Sequence, residues 1–182
     1  MTDKTALVIV FDGVEELEAL APVDCLRRAG VNVTMASSDD QKRITGRNQI
    51  ILEADSLLDD VLTGNHDLVV IPGGPGHARL VGDSRIMQLL KNQAARDGWI
   101  ASICAGPMVL QAAGVLEGKS FTSFPGTAEA LPQRLPEPRV VRDGTLITAQ
   151  GAGCATEFAI ALVKALCGKV VSDQIAESIC CS

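Results

Sequence analysis

Residues 99–114 read WIASICAGPMVLQAAG, and the cysteine in the middle of that stretch is the first candidate for chemistry. An apolar run ends at Cys104, and Pro107 opens a helical pattern, so no residues are left over for a loop. Cys104 therefore falls on an abrupt strand-to-helix turn. There its side chain is held out from the backbone, next to the unpaired N–H groups of a helix start, which favour a thiolate. A free cysteine also packs as a small hydrophobe, and position alone leaves both readings open.

Two other stretches carry residue types that fit around such a thiol. IPGGPG (71–76) sets Gly73 and Gly74 directly after an apolar run. Glycine permits a positive φ or a close approach of backbone to another group, so an N–H there can face a carbonyl oxygen bound near Cys104. The same two glycines also read as a tight turn. VEELEALAPVD (14–24) puts three glutamates in four residues at a helix start. Acidic residues there ordinarily form a solvated first turn. Leu17, Leu20 and Ala21 mark the expected buried stripe, with Glu18 beside it. Drawn in and desolvated, a carboxyl at Glu18 rises in pKa and can share a proton with a thiol.

The elements that would position these residues alternate. The apolar, β-rich run at 5–11, the alternating one at 31–37 and the near-continuous apolar runs at 67–73 and 99–104 read as strands, the last two buried on both faces as in a parallel sheet. Helical spacing appears at 84–97 (Ile86, Leu89, Leu90, Ala94) and at 154–167 (Phe158, Ala161, Leu162, Ala165, Leu166). Ser56 with Asp59 fits a capping box, Gly30, Gly98, Gly114 and Gly168 fit helix ends, and 139–150 fits a hairpin around Asp143-Gly144. Alternating β and α predicts an α/β three-layer sandwich with a mostly parallel sheet. In such sheets, ligands sit beyond the carboxyl ends of the strands, where the three stretches above fall.

Composition narrows the function. The 182 residues suit one domain spanning 1–182, and the net charge of −6 without a basic cluster argues against nucleic acid or an anionic membrane as partner. Aromatic residues are only 3% of the chain, too few for base-stacking platforms. The N-terminal apolar run is too short and too acid-flanked for a signal peptide or a membrane span. Six scattered cysteines, without C-x-x-C or zinc spacing, point to free thiols in a reducing cytoplasm and to no metal.

Taken together, the EExE-x(3)-P-x-D helix, the PGG turn and the cysteine elbow resemble the ThiJ/PfpI superfamily, in particular its DJ-one branch. The likeness runs nearly end to end, through the late GAGCATEFAIALVKALCGK. The resemblance implies a flavodoxin-like fold and a homodimer. It implies Cys104 as the functional residue, with a protonated Glu18 hydrogen-bonded to its sulfur, and an anion pocket from the amides of Gly74 and Ala105, with Gly73 alongside. Glu15 and Arg28 match positions near the pocket and the dimer interface. One departure stands out: Phe124, in FTSFPG, occupies the place of a histidine found in many relatives. That removes a Cys-His dyad, although His77 in the PGGPGHAR loop is within reach in sequence.

The implied activity is cofactor-free conversion of methylglyoxal-type α-oxoaldehydes, or removal of early glycation adducts from proteins and nucleotides. The alternative is a redox-sensing chaperone whose cysteine oxidises to sulfinate. A peptidase like some superfamily members is disfavoured, because Ala105 stands where those relatives keep a histidine after the cysteine. The chain length also leaves no room for an added helix-turn-helix domain.

Overall fold

A computed structural model describes residues 2–181. Its centre is a seven-stranded sheet in the order β5-β2-β1-β6-β7-β9-β8. The middle strands β1 (Thr5–Val10), β6 (Leu68–Ile71) and β7 (Trp99–Ile103) are parallel and almost wholly buried. This is what near-continuous Val, Ile and Leu runs dictate once helices cover both faces. β2 (Asn32–Ser37) and the short β5 (Ser56–Leu57) extend the sheet on one side. On the other, β8 (Val140–Asp143) and β9 (Leu146–Ala149) form the expected hairpin, with β9 parallel to β7. Gly144 supplies the positive φ that its tight turn needs. From β1 the chain runs first to β2 and later returns to β6 on the opposite side, so strand order reverses between β1 and β6. A crevice at such a reversal is where open α/β sheets hold ligands.

Helices α1 (Glu16–Arg28), α2 (His77–Val81), α3 (Ser84–Ala95), α4 (Pro107–Ala112), α5 (Ala155–Cys167) and α6 (Lys169–Ser178) flank the sheet. α1 packs on α5 and α5 on α6, while α2, α3 and α4 pack together. A separate hairpin, β3 (Arg43–Thr45) with β4 (Ile51–Glu53), leans on the β1–α1 turn through Gly13 N–H to Thr45 O and Arg47 N–H to Val14 O, both 2.8 Å. No helix among the described residues is long and apolar enough to cross a membrane.

Four expectations need correction. The buried stripe of α1 is not Leu17, Leu20 and Ala21: Leu17 is 61% exposed, and the buried positions are Glu16, Glu18, Ala19, Pro22, Val23, Cys25 and Leu26. Ser56 caps no α-helix, because it lies in β5 and is followed by a single 3-10 turn, Leu58–Asp60, without a side-chain cap. On α3 the buried position near the end belongs to Gln93, not Ala94. At the end of that helix Asp97, not Gly98, takes the left-handed conformation.

Candidate active site

The elbow after β7 is a strained turn. Cys104 has φ +62°, a left-handed conformation that costs a non-glycine residue about 1–3 kcal/mol. Its backbone is clamped on both sides: its N–H donates to Ala149 O at 3.0 Å, and its carbonyl accepts from Phe124 N–H at 2.8 Å. Those bonds hold the thiol at the mouth of the sheet, where the residue is 9% exposed.

Two glycines shape the space around it. A Cβ on Gly73 would stand 2.6 Å from Glu18 Oε2, 2.7 Å from Cys104 Cβ and 2.9 Å from Ala105 N, so only glycine fits between carboxyl and thiol. Gly74 has φ +109° and lies against the backbone of Gly13, Val14 and Glu15. Glu15 N–H donates to Gly73 O at 3.0 Å and Gly76 N–H to Gly13 O at 3.3 Å, so the turns after β1 and β6 are stitched together across the crevice. Neither the Gly74 nor the Ala105 N–H donates to an oxygen among the described residues. The Gly73 N–H is different. It donates to Glu18 Oε2 at 2.9 Å, so Gly73 positions the carboxyl and is not itself a free anion donor.

The neighbouring glutamates of α1 have opposite environments. Glu16 is buried but satisfied: Oε1 and Oε2 accept from Asn48 N and Nδ2 at 2.8 Å each. Burial alone would raise it, yet those and backbone hydrogen bonds hold it below the ordinary carboxylate range. Glu18 is 1% exposed, and its Oε1 has no completed hydrogen bond. Burial pushes it up to about 7, against the pull of Cys104 and of the Gly73 and Ala152 N–H groups, with the charge of Glu15 adding to the rise. Oε1 faces the same point as the Cys104 thiol and the Phe124 ring. A Cβ placed on Gly151 would be 3.9 Å from it, 3.9 Å from Cys104 Sγ and 3.7 Å from Phe124 Cδ2.

The thiol itself departs from the expectation of a helix-stabilised thiolate. Burial first, and then the Glu18 charge, push Cys104 up to about 12, while the Ala105 N–H works the other way. α4 has only six residues, too short for its dipole to outweigh desolvation. The pair is best treated as one unit that gives up a first proton near pH 7 and a second near pH 12, holding a single proton over most of the range between.

The remaining sequence candidates divide. Glu15 is buried beside the pair, with Arg47 3.9 Å from its Oε2. Phe124 borders the thiol at Gly151 and is 48% exposed. His77 begins α2, and its Nδ1–H donates to Gly74 O at 2.8 Å, which commits the ring to the turn. Arg28 is not brought to this site. It closes the last turn of α1, about 15 Å along the helix from Glu18, and pairs with Asp24 at 2.7 Å. Gly151 and Arg47 were missed. Gly151 lies in the loop following β9, and the carboxyl-end rule applied to that strand would have found it.

Comparison with known proteins places the chain in a family. The family description "DJ-1/PfpI family" matches residues 4–165. The chain is 38% identical over 180 residues to Protein dj-1beta of Drosophila melanogaster, covering 97% of this chain and 96% of that one. The crystal structure of Drosophila melanogaster DJ-1beta superposes with a TM-score of 0.97 at 36% identity, covering 100% of both chains. A Caenorhabditis elegans protein named glutathione-independent glyoxalase DJR-1.2 is 33% identical over 181 residues, 97% of this chain and 96% of its own. The fold is that of the flavodoxin-like α/β proteins, and this chain belongs to the DJ-1/PfpI family.

Proposed function

We propose that the chain is a cysteine-dependent, cofactor-free glyoxalase acting on methylglyoxal-type α-oxoaldehydes, and on the early glycation adducts they form on proteins and nucleotides. The observation that carries this reading is the buried, unpartnered Oε1 of Glu18 facing the same point beside Gly151 as Cys104 Sγ. An unsatisfied carboxyl oxygen in a buried site is costly unless something it must serve arrives there. The C. elegans relative with a glyoxalase name supports the same chemistry here.

The residues divide the work. Glu18, ionised above about pH 7, takes the thiol proton as Cys104 adds to the aldehyde carbon. The new C–O⁻ meets the Gly74 and Ala105 amides, which have no other oxygen to serve, and is protonated to a hemithioacetal. Glu18 then removes the hydrogen on that carbon and a proton is returned to the adjacent one, which converts the former ketone into an alcohol and leaves a thioester on Cys104. Water cleaves the thioester, releasing the 2-hydroxy acid and restoring the thiol. Methylglyoxal plus water thus gives lactate, with no net redox change.

Wild type and Cys104→Ser are compared for methylglyoxal loss together with lactate appearance. Stoichiometric lactate from the wild type alone supports the proposal. Methylglyoxal loss without lactate would mean scavenging by thiols, and would move the reading to oxidation sensing.

The proposed assembly is a cytoplasmic homodimer through the start of α1 and the β4 side of the small hairpin. Leu17, Leu20, Ile50 and Ile51 are all exposed there, and the two segments are joined by the Asn48–Glu16 hydrogen bonds. Charging that face with Leu17→Glu should shift sedimentation from dimer to monomer; an unchanged dimer would place the interface elsewhere.

A further inference from the structure

Next to the Glu18–Cys104 pair lies a cavity of about 350 Å³ that the proposed reaction does not yet use. Its walls are Phe124, Pro125, Gly151, Ala152, Gly153 and Cys154. Two polar residues reach the rim, but their ends are engaged elsewhere. Gln150 Nε2 donates to Pro136 O at 2.7 Å and Pro138 O at 3.1 Å. Arg139 bonds Glu157 Oε2 at 2.9 Å and Gly153 O at 2.6 Å. The Cys154 thiol donates to Gly151 O at 3.1 Å, which leaves its sulfur as a soft, polarisable wall. A group entering this cavity therefore meets a mostly apolar surface of carbon and sulfur, with the Arg139 charge paired to Glu157 at its rim.

The cavity and the reactive pair share Gly151. Its missing Cβ leaves open the point that lies 3.9 Å from Cys104 Sγ, 3.9 Å from Glu18 Oε1 and 3.7 Å from the Phe124 ring. Phe124 is fixed relative to the thiol, because its N–H holds the Cys104 carbonyl. Its half-exposed ring gives the cavity an aromatic face, on which a planar ring stacks offset or edge-on.

We propose that this cavity is the subsite for the carbon substituent of the α-oxoaldehyde, and that it selects apolar, ring-sized substituents: arylglyoxals such as phenylglyoxal over methylglyoxal. The inference rests on the aldehyde reading of the Cys104 site. A volume of about 350 Å³ is at the small end of ligand pockets and suits a single ring. With the dicarbonyl oxygens at the Gly74 and Ala105 amides, the substituent crosses Gly151 and rests against Phe124. The ring is held alike before and after proton transfer, so the preference falls on KM more than on kcat.

The test uses Gly151→Ala. The added methyl makes only ordinary contacts, and φ 163°, ψ −174° is extended backbone that alanine adopts, so the variant folds while its passage narrows. Ala152→Leu, which fills the cavity from another wall, is the second variant. The first readout is the ratio of kcat/KM for phenylglyoxal (to mandelate) over methylglyoxal (to lactate). It should exceed about tenfold in wild type and fall by about tenfold in either variant, mainly through KM. The second readout needs no turnover: Cys104 alkylation by N-phenylmaleimide against N-methylmaleimide, each normalised to glutathione and localised by peptide mass. It should show the same preference and the same loss. If the maleimide preference holds but neither aldehyde yields a hydroxy acid, the subsite stands and the aldehyde reading falls. If both ratios are unaffected by both variants, the subsite is overturned.

Discussion

The two ends of the central sheet bury polar groups in opposite ways. At the amino ends of β6 and β7, Gln93 is buried and its Nε2 donates to His66 O and Trp99 O at 3.0 Å each and to Asp67 O at 3.3 Å. Its Oε1 accepts from Arg96 Nε at 3.1 Å. Asp67 takes Lys4 Nζ at 2.8 Å and Thr5 N–H at 2.9 Å; burial works against it, but those bonds bring it below its ordinary value. The Gln93 amide and the Asp67 carboxyl thus both have partners. At the carboxyl ends, Glu18 keeps a buried oxygen unpaired, Cys104 is held at positive φ, and both titrate above their ordinary values. One end pairs its buried polar groups and contributes stability. The other holds strain and an unmet hydrogen-bonding capacity, which is how a site differs from a core.

That contrast can be broken in several ways. The largest effect is expected from Cys104→Ser, which should cut lactate formation at least about a thousandfold while leaving the fold intact. Glu18→Gln should follow, with a loss of about 10²–10⁴-fold in kcat, because an amide still accepts from the Gly73 N–H but cannot carry a proton. The same variant sharpens the comparison through pH. Glu18 rises from 4.5 to about 7 on folding, so the folded state holds its proton more tightly. The resulting stabilisation is complete below about pH 4.5 and disappears as pH rises through 7, on the order of 3 kcal/mol in all. Urea unfolding of wild type across that window should show the decline, and Glu18→Gln should flatten it. Smallest in free energy, Gln93→Ala at the amino end should cost about 2 kcal/mol by removing the amide that donates to the His66, Asp67 and Trp99 carbonyls. Turnover per folded molecule should not change, and a loss of turnover equal to that of Glu18→Gln would erase the distinction between the two ends.

Much of this was legible in the residues. Cys104 was readable because an apolar strand runs directly into Pro107, leaving the thiol nowhere to go but the elbow. The PGG turn and the hairpin at Asp143-Gly144 were readable for the same local reason. Hydrophobic spacing failed on α1 because it reports that Leu17 and Leu20 avoid water without saying against what. The inner face of that helix is given to Glu16 and Glu18, and the leucines face outward. It failed again at Gln93, where three backbone carbonyls select an amide over the apolar Ala94. Helix α2 and the β3–β4 hairpin are short, held by neighbours and not by their own pattern. The thiol's upward shift was beyond reach because desolvation depends on how deeply the assembled loops bury it.

The most direct test of the central claim, that Glu18 and Cys104 act as one proton-sharing pair, is the pH profile of kcat/KM for lactate formation. The reactive species is the pair carrying a single proton, so the rate should rise through an inflection near pH 7 and hold well into the alkaline range. In Glu18→Gln the residual rate should lose that inflection. A wild-type profile flat across pH 7, or one whose inflection survives in Glu18→Gln, would contradict it.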